Sequence, residues 1–277
     1  MRVFKKITLC AFILVTGQVY SQRYNWDYYQ LKGKVKLVKE SEYFGSNDKN
    51  RSGKLKDISF QWFNINGNVV KDSNWNYYQG HISQYFYKYD SLGRLIEEIT
   101  SYSKSGKMWE HNTFYYENGY ATVYKTNFSH QGLVENIDVV KHDDAGNLVE
   151  FISCDSNYYI QWKYLNTYDS LGHQTGDYQY TGAGDIYFFI KHKYDEAGNK
   201  TETWAYNADS SLAYMETRKF DEKGNETESC GYDKNEKLTG IFKTVYIYDK
   251  YGNWLKRSNY RKGVLIRTVH RTLWYYE

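Results

Sequence analysis

A repeat of about 26 residues constrains the fold of this chain more than any other feature of its sequence. Four of the eight copies contain the segment Tyr-Asp-x-x-Gly and the others contain variants of it, in each case followed by a run typical of a β-strand. The glycines of the copies are Gly67, Gly93, Gly119, Gly146, Gly172, Gly198, Gly224 and Gly252. Consecutive members of this set lie 26 to 28 residues apart. Such regular spacing is typical of proteins in which one supersecondary unit packs on the next.

A second set of turn signals falls near the midpoint of each repeat. Its members are Gly53, Gly80, Gly106, Gly132, Gly184 and Gly263, with polar pairs at 156–157, 209–210 and 235–236 in the other copies. These turns leave strands of roughly eight to ten residues. The chain contains no proline, a residue that removes a donor from the sheet ladder. We therefore predict an all-β fold, an antiparallel meander of about 16–18 strands in a curled or partly closed sheet.

The Asp-x-x-Gly segment has a direct explanation in turn chemistry. An aspartate at the first position accepts the amide proton two residues on, and glycine at the fourth position adopts a positive φ and forms a bulge. The predicted turn aspartates are Asp90, Asp169, Asp195, Asp221 and Asp249, and the structural turn glycines are Gly93, Gly146, Gly172, Gly198, Gly224 and Gly252. A calcium site is the alternative, but no single turn supplies a full set of ligands.

The turn also predicts the pairing of the two strands that it joins. If Asp195 lies opposite Asn199, then Phe188 lies opposite Tyr206. The same rule predicts the aromatic pairs Trp162–Tyr180, Phe188–Tyr206, Tyr214–Tyr232 and Phe242–Tyr260 at the far end of successive hairpins. These eight side chains form our candidate ligand platform, one pair per repeat along an extended polymer. In the alternative interpretation they merely pack on one another, as cross-strand aromatics do.

The other face of the return strands is small and polar, with Thr203, Ala205 and Ser229 among its members. A β-sandwich requires an apolar inner face, so a sheet that curls on itself is favoured. We expect free edges at Val35–Phe44 and Leu265–Tyr275, with Lys34, Lys36, Lys39, Arg267 and Arg271 as charges that discourage edge pairing. Pairing of the two ends would instead close the sheet.

The first 21 residues have the pattern of a secretory signal peptide. Arg2, Lys5 and Lys6 precede an apolar run of 11 residues, and Ser21 fits a cleavage site. Residues 22–277 would then form one domain, with 33 basic and 33 acidic residues. This balance disfavours nucleic-acid binding. We expect a secreted, periplasmic or outer-surface location, no membrane insertion after cleavage, and unpaired thiols at the distant Cys154 and Cys230.

The Tyr-Asp-x-x-Gly turn, with an aromatic residue twelve positions beyond the tyrosine, resembles the tyrosine–aspartate (YD) repeats of the RHS family. The resemblance covers about residues 60–260, although the period here is longer than is usual in that family. It implies a short member without the core motif or the C-terminal toxin of RHS proteins. Carbohydrate binding is implied by the resemblance, since some YD-repeat proteins bind carbohydrate.

Catalytic constellations are not found in the sequence. The seven histidines show no H-E-x-x-H spacing, and no G-x-S-x-G segment or phosphate loop is present. Glu150, Glu202 and Glu228 suggest a glycosidase pair, but we predict that they face His192 and Arg218 across the hairpins instead. We therefore predict a non-enzymatic binding or structural module without a cofactor. Its partner would be a polysaccharide or another surface or periplasmic protein; the alternatives are an interaction scaffold and a glycoside-acting enzyme.

Overall fold

The computed structural model describes residues 25–77, 80–102, 108–117, 122–129 and 131–277, so the predicted signal peptide lies outside the described residues. Within these ranges the chain forms eighteen β-strands and no helix. The strands are β1 (Val35–Phe44), β2 (Leu55–Phe63), β3 (Val69–Asn76), β4 (His81–Tyr89), β5 (Leu95–Tyr102), β6 (Met108–Glu117), β7 (Thr122–Ser129), β8 (Val134–His142), β9 (Leu148–Asp155), β10 (Ile160–Tyr168), β11 (Gln174–Thr181), β12 (Ile186–Tyr194), β13 (Lys200–Asn207), β14 (Leu212–Phe220), β15 (Glu226–Asp233), β16 (Leu238–Tyr248), β17 (Trp254–Arg261) and β18 (Val264–Tyr275).

The strands form one antiparallel sheet that closes into a barrel. Each strand pairs with the next along the chain, and β1 pairs with both β2 and β18. At the seam Glu40 lies opposite Arg271, and Phe44 lies opposite Arg267. The all-β meander is confirmed, but the prediction of two free edges is wrong. An even number of alternating strands brings the first and last together in antiparallel orientation, so each supplies the ladder partners that the other lacks.

The predicted turn chemistry is confirmed wherever the structure describes it. In the 195–199 turn the amide of Gly198 donates to the Asp195 carbonyl at 3.0 Å, and Asp195 Oδ1 accepts from the amide of Ala197 at 3.0 Å. The Asn199 amide donates to the same oxygen at 2.8 Å. The glycines Gly93, Gly146, Gly172, Gly198, Gly224 and Gly252 have φ between 77° and 87°. Each glycine therefore adopts the left-handed conformation that this turn requires.

The midpoint turns also lie where the sequence predicts them. Gly53, Gly80, Gly132, Gly184 and Gly263 have positive φ. In the copies without a midpoint glycine, the same role falls to Tyr158, Ser210 and Glu236, with φ of 65°, 64° and 58°. Gly106 and Gly119 lie outside the described residues.

The predicted register is wrong beyond the first pair of each hairpin. Tyr194 does lie opposite Lys200, but a bulge follows and Lys193 lies opposite Glu202. The same shift occurs between Lys219 and Phe220 in the next hairpin. Because side chains alternate between the two faces of a strand, one extra residue moves every later residue to the face opposite its predicted partner.

The closed sheet has a polar face that is largely buried, and this face lines the lumen. Thr203 is 3% exposed, Ser229 is 8% exposed and Asp138 is 4% exposed. Side chains that lie opposite one another on paired strands share a face, and the pairing places these residues on the same face as His192 and Arg218. The small polar residues of the return strands are therefore luminal. They leave room for the longer side chains of the outgoing strands.

An apolar cluster lines the luminal face of β1–β9 next to the Asp-x-x-Gly turns. Its core includes Val35, Val69, Leu95 and Leu148, each at most 1% exposed. The segment 25–34, which precedes β1, packs on this cluster through Trp26, Tyr29 and Leu31. Burial of these large side chains is a main source of stability in a barrel whose remaining lumen is mostly polar.

Candidate functional site

The structure divides the predicted aromatic platform between the two faces of the barrel wall. Trp162, Phe188, Tyr214 and Phe242 lie on the luminal face, and Tyr180, Tyr206, Tyr232 and Tyr260 lie on the outer face. The bulge after each turn causes this division, because it pairs Phe188 with Asn207 and Tyr206 with Phe189. The prediction of eight side chains on one face is therefore wrong.

Among the four outer tyrosines, Tyr206 packs its ring on a neighbouring aromatic side chain. Tyr206 stacks on Phe189 with ring centroids 4.9 Å apart, and Phe189 in turn stacks on Tyr178 at 5.7 Å. Such pairs contribute roughly 0.5–1.5 kcal/mol beyond their buried area. For Tyr206, this geometry fits the interpretation in which the aromatics merely pack on one another.

The luminal half of the set forms a row of partly exposed rings, which we call the luminal aromatic row (Trp162, Phe188, Tyr214 and Phe242). Each ring comes from an outgoing strand, β10, β12, β14 or β16, near the midpoint turns. Trp162 is 45% exposed, Tyr214 43% and Phe242 37%. The Phe188 and Tyr214 rings are stacked at 6.4 Å, closer than the roughly 9.6 Å between alternate strands.

Below the row, nearer to the Asp-x-x-Gly turns, the luminal wall carries charged and polar groups. Arg218 donates to Thr203 Oγ1 at 3.1 Å and lies 3.3 Å from Glu226. Burial lowers the pKa of His192 to about 3, and nearby Lys200 and Arg218 act in the same direction. The imidazole is therefore neutral at pH 7. Burial also lowers the pKa of Lys200 to about 8.

The tyrosine of each Tyr-Asp pair has a structural role. Its ring lies in the lumen. The hydroxyl of Tyr248 donates to the Asp221 carboxylate, and those of the other Tyr-Asp tyrosines and of the equivalent Tyr116 donate to a backbone carbonyl of the preceding repeat about one strand pair away. The bonds run from Tyr89 to Val69, Tyr116 to Leu95, Tyr168 to Leu148 and Tyr194 to Gln174, at 2.7–2.8 Å. Burial raises the pKa of Tyr168 and of Tyr194 to about 12. These hydroxyls therefore stay protonated and join neighbouring repeats.

The three carboxylates considered for glycoside hydrolysis lie on the outer wall, each beside lysines. Glu150 contacts Lys141 and Lys163, both at 2.6 Å. Glu202 contacts Lys193 at 2.9 Å, and Glu228 contacts Lys219 at 2.7 Å and Lys243 at 3.5 Å. The ion-pair interpretation is correct, but His192 and Arg218 are not the partners, again because of the bulge. Hydrogen bonds from the lysines hold the pKa of each carboxyl below its usual range. We call these pairs the outer ion-pair girdle.

The sequence did not identify the arginines of β17 and β18 as luminal. Arg271 is buried at the seam, and its Nε and Nη2 donate to Glu40 Oε1 at 2.9 and 2.6 Å. Arg267 lies 3.8 Å from Glu42, and Arg261 lies over the Phe242 ring at 5.3 Å. Arg267 and Arg271 therefore do not protect a free edge. Their spacing of four places them on one face of a strand, matched by Glu40 and Glu42 on β1.

Other chemical features of the described residues are few. Cys154 and Cys230 are free thiols, as predicted. Within the described ranges, no group of three or more histidine, cysteine or acidic side chains is arranged to hold a metal ion. The same part of the chain contains no helix with the length and hydrophobicity to span a membrane.

Neither a family model nor a curated protein matches the chain. Among solved structures, a porin-like protein from Bacteroides uniformis is 13% identical with a TM-score of 0.48, over 88% of this chain and 98% of that one. A porin-like protein from Bacteroides vulgatus is 10% identical with a TM-score of 0.31, over 87% and 99%. A TcdB2-TccC3 structure is 12% identical with a TM-score of 0.31, and the match spans 82% of this chain but 13% of that one. Nothing about function follows at these scores.

Proposed function

We propose that the protein is an exported, non-enzymatic binding barrel whose luminal aromatic row binds a polysaccharide. The observation that carries the proposal is the exposure of Trp162, Tyr214 and Phe242 on the luminal face of the closed sheet. A flat ring with one open face suits stacking on a sugar, and the hydroxyl of Tyr214 adds a polar edge. Neighbouring polar groups in the lumen supply hydrogen-bond partners for sugar hydroxyls.

The charged side chains of the outer wall favour a barrel whose outer surface faces water. A barrel that spans a membrane presents an apolar band about 25 Å tall to the lipid. Here the outer ion-pair girdle occupies the first outward position beyond the Asp-x-x-Gly turns, and Lys219 is 75% exposed. For tilted strands of this length, the outward-facing residues between the girdle and the midpoint turns span roughly 15 Å along the barrel axis, which is less than the height of such an apolar band. We therefore propose that the mature chain is secreted, periplasmic or held at the outer cell surface without inserting into the membrane.

Two further observations support the proposal. The lysine partners of Glu150, Glu202 and Glu228 leave no pair of these carboxylates available for general acid–base work. Both residues of the YD motif have a structural function: the tyrosine hydroxyl forms a hydrogen bond to the preceding repeat, and the aspartate forms the hydrogen bonds of the turn. We propose on this basis that the chain is a short, non-enzymatic YD-repeat barrel.

The test is retention in affinity gels that contain a panel of neutral and acidic polysaccharides. We expect Trp162→Ala and Tyr214→Ala to weaken retention about tenfold while the fold survives, because partly exposed anchors contribute more to binding than to packing. Tyr206→Ala is the matched control on the outer face. It should lower the melting temperature through the lost stack on Phe189 and leave the affinity of the folded fraction unchanged.

The opposite pattern would count against the proposal. If Trp162→Ala and Tyr214→Ala unfold the protein, the row is packing. If both variants fold and every polysaccharide is still retained as by the unchanged protein, the row is not the binding surface. If no polysaccharide in the panel is retained, carbohydrate binding is the wrong function.

A second candidate, a protein-interaction scaffold, rests on the outer wall of β16 and β17. Val245 is 56% exposed and Ile247 is 55% exposed. Beside them lies a mainly apolar concavity of about 530 Å³ lined by residues that include Ile241 and Tyr260. Exposed apolar surface of this kind is typical of protein contacts. Val245→Lys should abolish capture of a protein partner and leave polysaccharide retention unchanged.

A further inference from the structure

The luminal aromatic row ends beside two arginines. Arg261 on β17 lies directly opposite Phe242, with its guanidinium carbon 5.3 Å from the ring centroid. Arg267 on β18 lies opposite Asn259 and donates to its Oδ1 at 3.1 Å. Asn259 and Arg261 are two residues apart on one strand, so they share the luminal face. The row therefore continues into a basic stretch of the same wall.

Arg261 and Arg267 have N–H donors available for a ligand, unlike Arg271, which lies deeper in the lumen. Arg261 is exposed and forms no ion pair within the part of the chain that the structure describes. The side chain of Arg267 is 44% exposed, and its carboxylate neighbour Glu42 lies 3.8 Å away. Glu42 is itself engaged by Lys56 at 2.7 Å. By contrast, the side chain of Arg271 is 6% exposed and paired with Glu40.

Two glycines lie in the wall beside the last two rings of the row. Gly231 on β15, the strand between those of Tyr214 and Phe242, is paired with Gly240 on β16. A Cβ at Gly240 would lie 3.5 Å from the Phe242 ring and 3.9 Å from Arg261 Nη2, so the absence of a side chain at this buried position leaves the space in which the ring and the guanidinium lie together over the backbone. The adjacent carboxylate of Asp233 already accepts the turn amides of Asn235 and Lys237.

We propose that the ligand of the luminal aromatic row is an anionic polysaccharide, whose sugar rings stack on Tyr214 and Phe242 while its acidic groups bind Arg261 and Arg267. This inference rests on the proposed function and names the class of polymer. A guanidinium presents a planar fork of donors that matches a carboxylate in two-point contact. Stacking and ion pairing then act on the same sugar unit, and repetition along the chain adds to the affinity.

The experiment compares polygalacturonate with its methyl-esterified form, which keeps the backbone and removes the charge. In affinity gels at low salt, we expect the acidic form to be retained at least tenfold more strongly, and the difference to shrink as salt rises. Arg261→Gln and Arg267→Gln should each weaken retention of the acidic form about tenfold and leave the ester form unchanged. Lys243→Gln is the matched control, since it removes a positive charge one residue from Phe242 but on the outer face.

The outcomes separate the two proposals. Equal retention of both polymers, or arginine variants that bind like the unchanged protein, would overturn the anionic class and leave polysaccharide binding in place. Retention of neither polymer, nor of any in the wider panel, would overturn both. Strong retention of dextran sulfate that survives Tyr214→Ala would show plain ion exchange and overturn the inference. Arg261→Lys, which keeps the charge without the fork, separates geometry from charge if Arg261→Gln proves unstable.

Discussion

Removal of one hydroxyl between neighbouring repeats gives a direct test of how the barrel is held together. Tyr194 Oη donates to the Gln174 carbonyl at 2.8 Å across one strand pair. Tyr194→Phe keeps the ring, which stacks on His173 at 4.7 Å, and deletes only that bond. A hydrogen bond of this kind contributes about 0.5–1.5 kcal/mol net, and an unsatisfied carbonyl adds to the loss. We expect a destabilisation of about 1–2 kcal/mol.

The loss should depend on pH in a defined direction. Burial raises the pKa of Tyr194 to about 12, above the value of about 10 for an unfolded tyrosine. The folded state therefore favours the protonated phenol, so this contribution is complete below pH 10 and is lost as the pH rises toward 12. Tyr194→Phe should flatten the alkaline decline of stability between these two values.

The assay is urea denaturation, with thermal melts at pH 7 and across pH 9–12. At pH 7 the expected change in melting temperature is roughly 2–6 °C for a chain of this size. Tyr206→Phe is the control, because the outer Tyr206 packs through its ring and should change by less than about 0.5 kcal/mol. If both variants melt alike, the hydroxyl bond contributes nothing and our account of the repeat tyrosine fails.

Three further predictions concern turns and luminal charges. Gly146 has φ of 84° with open space around it, so Gly146→Ala should destabilise the protein by about 1 kcal/mol. Gly198→Ala should destabilise it by more, because the new Cβ would lie 2.9 Å from the His173 ring. Equal urea midpoints for the two variants would contradict the contribution of this clash. Burial raises the pKa of Asp72 to about 6, so the contribution of this side chain to stability is greatest below pH 3.8 and is lost as the pH rises to 6. Asp72→Asn should therefore stabilise the protein by about 1–2 kcal/mol at pH 7 in denaturant melts, and an unchanged midpoint would refute that expectation. Arg271→Met should cost about 2–4 kcal/mol by leaving the Glu40 carboxylate unpaired in the lumen, and Glu40→Gln in the same chain should recover part of the loss.

The turns were predictable from the sequence because their chemistry is local. An aspartate, two intervening residues and a glycine specify their own hydrogen bonds within five residues, so the repeat period and the strand number followed directly. The pairing beyond the turn was not predicted, because the register rule took no account of the bulge between Lys193 and Tyr194, which recurs at the same place in the next hairpin. One residue of offset was enough to separate Phe188 from Tyr206 and to divide the candidate site.

Closure and the character of the lumen depend on contacts remote in sequence. The Glu40–Arg271 pair joins residues 231 positions apart, and no local pattern marks them as partners. A clue was present in the small polar face of the return strands, at Thr203, Ala205 and Ser229. That face argues against a sandwich, and in the closed sheet it is the inner face, where small side chains make room for large ones opposite.

Closure also means that a barrel of this kind changes its bore in discrete steps. Each repeat contributes one outgoing and one return strand, so gain or loss of a whole unit preserves the antiparallel match between β1 and β18. Loss of a single strand would instead bring two strands of like direction together at the seam. One unit adds about 9–10 Å to the circumference, so gain or loss of one repeat changes the width of the lumen by a fixed step while every strand keeps an antiparallel neighbour.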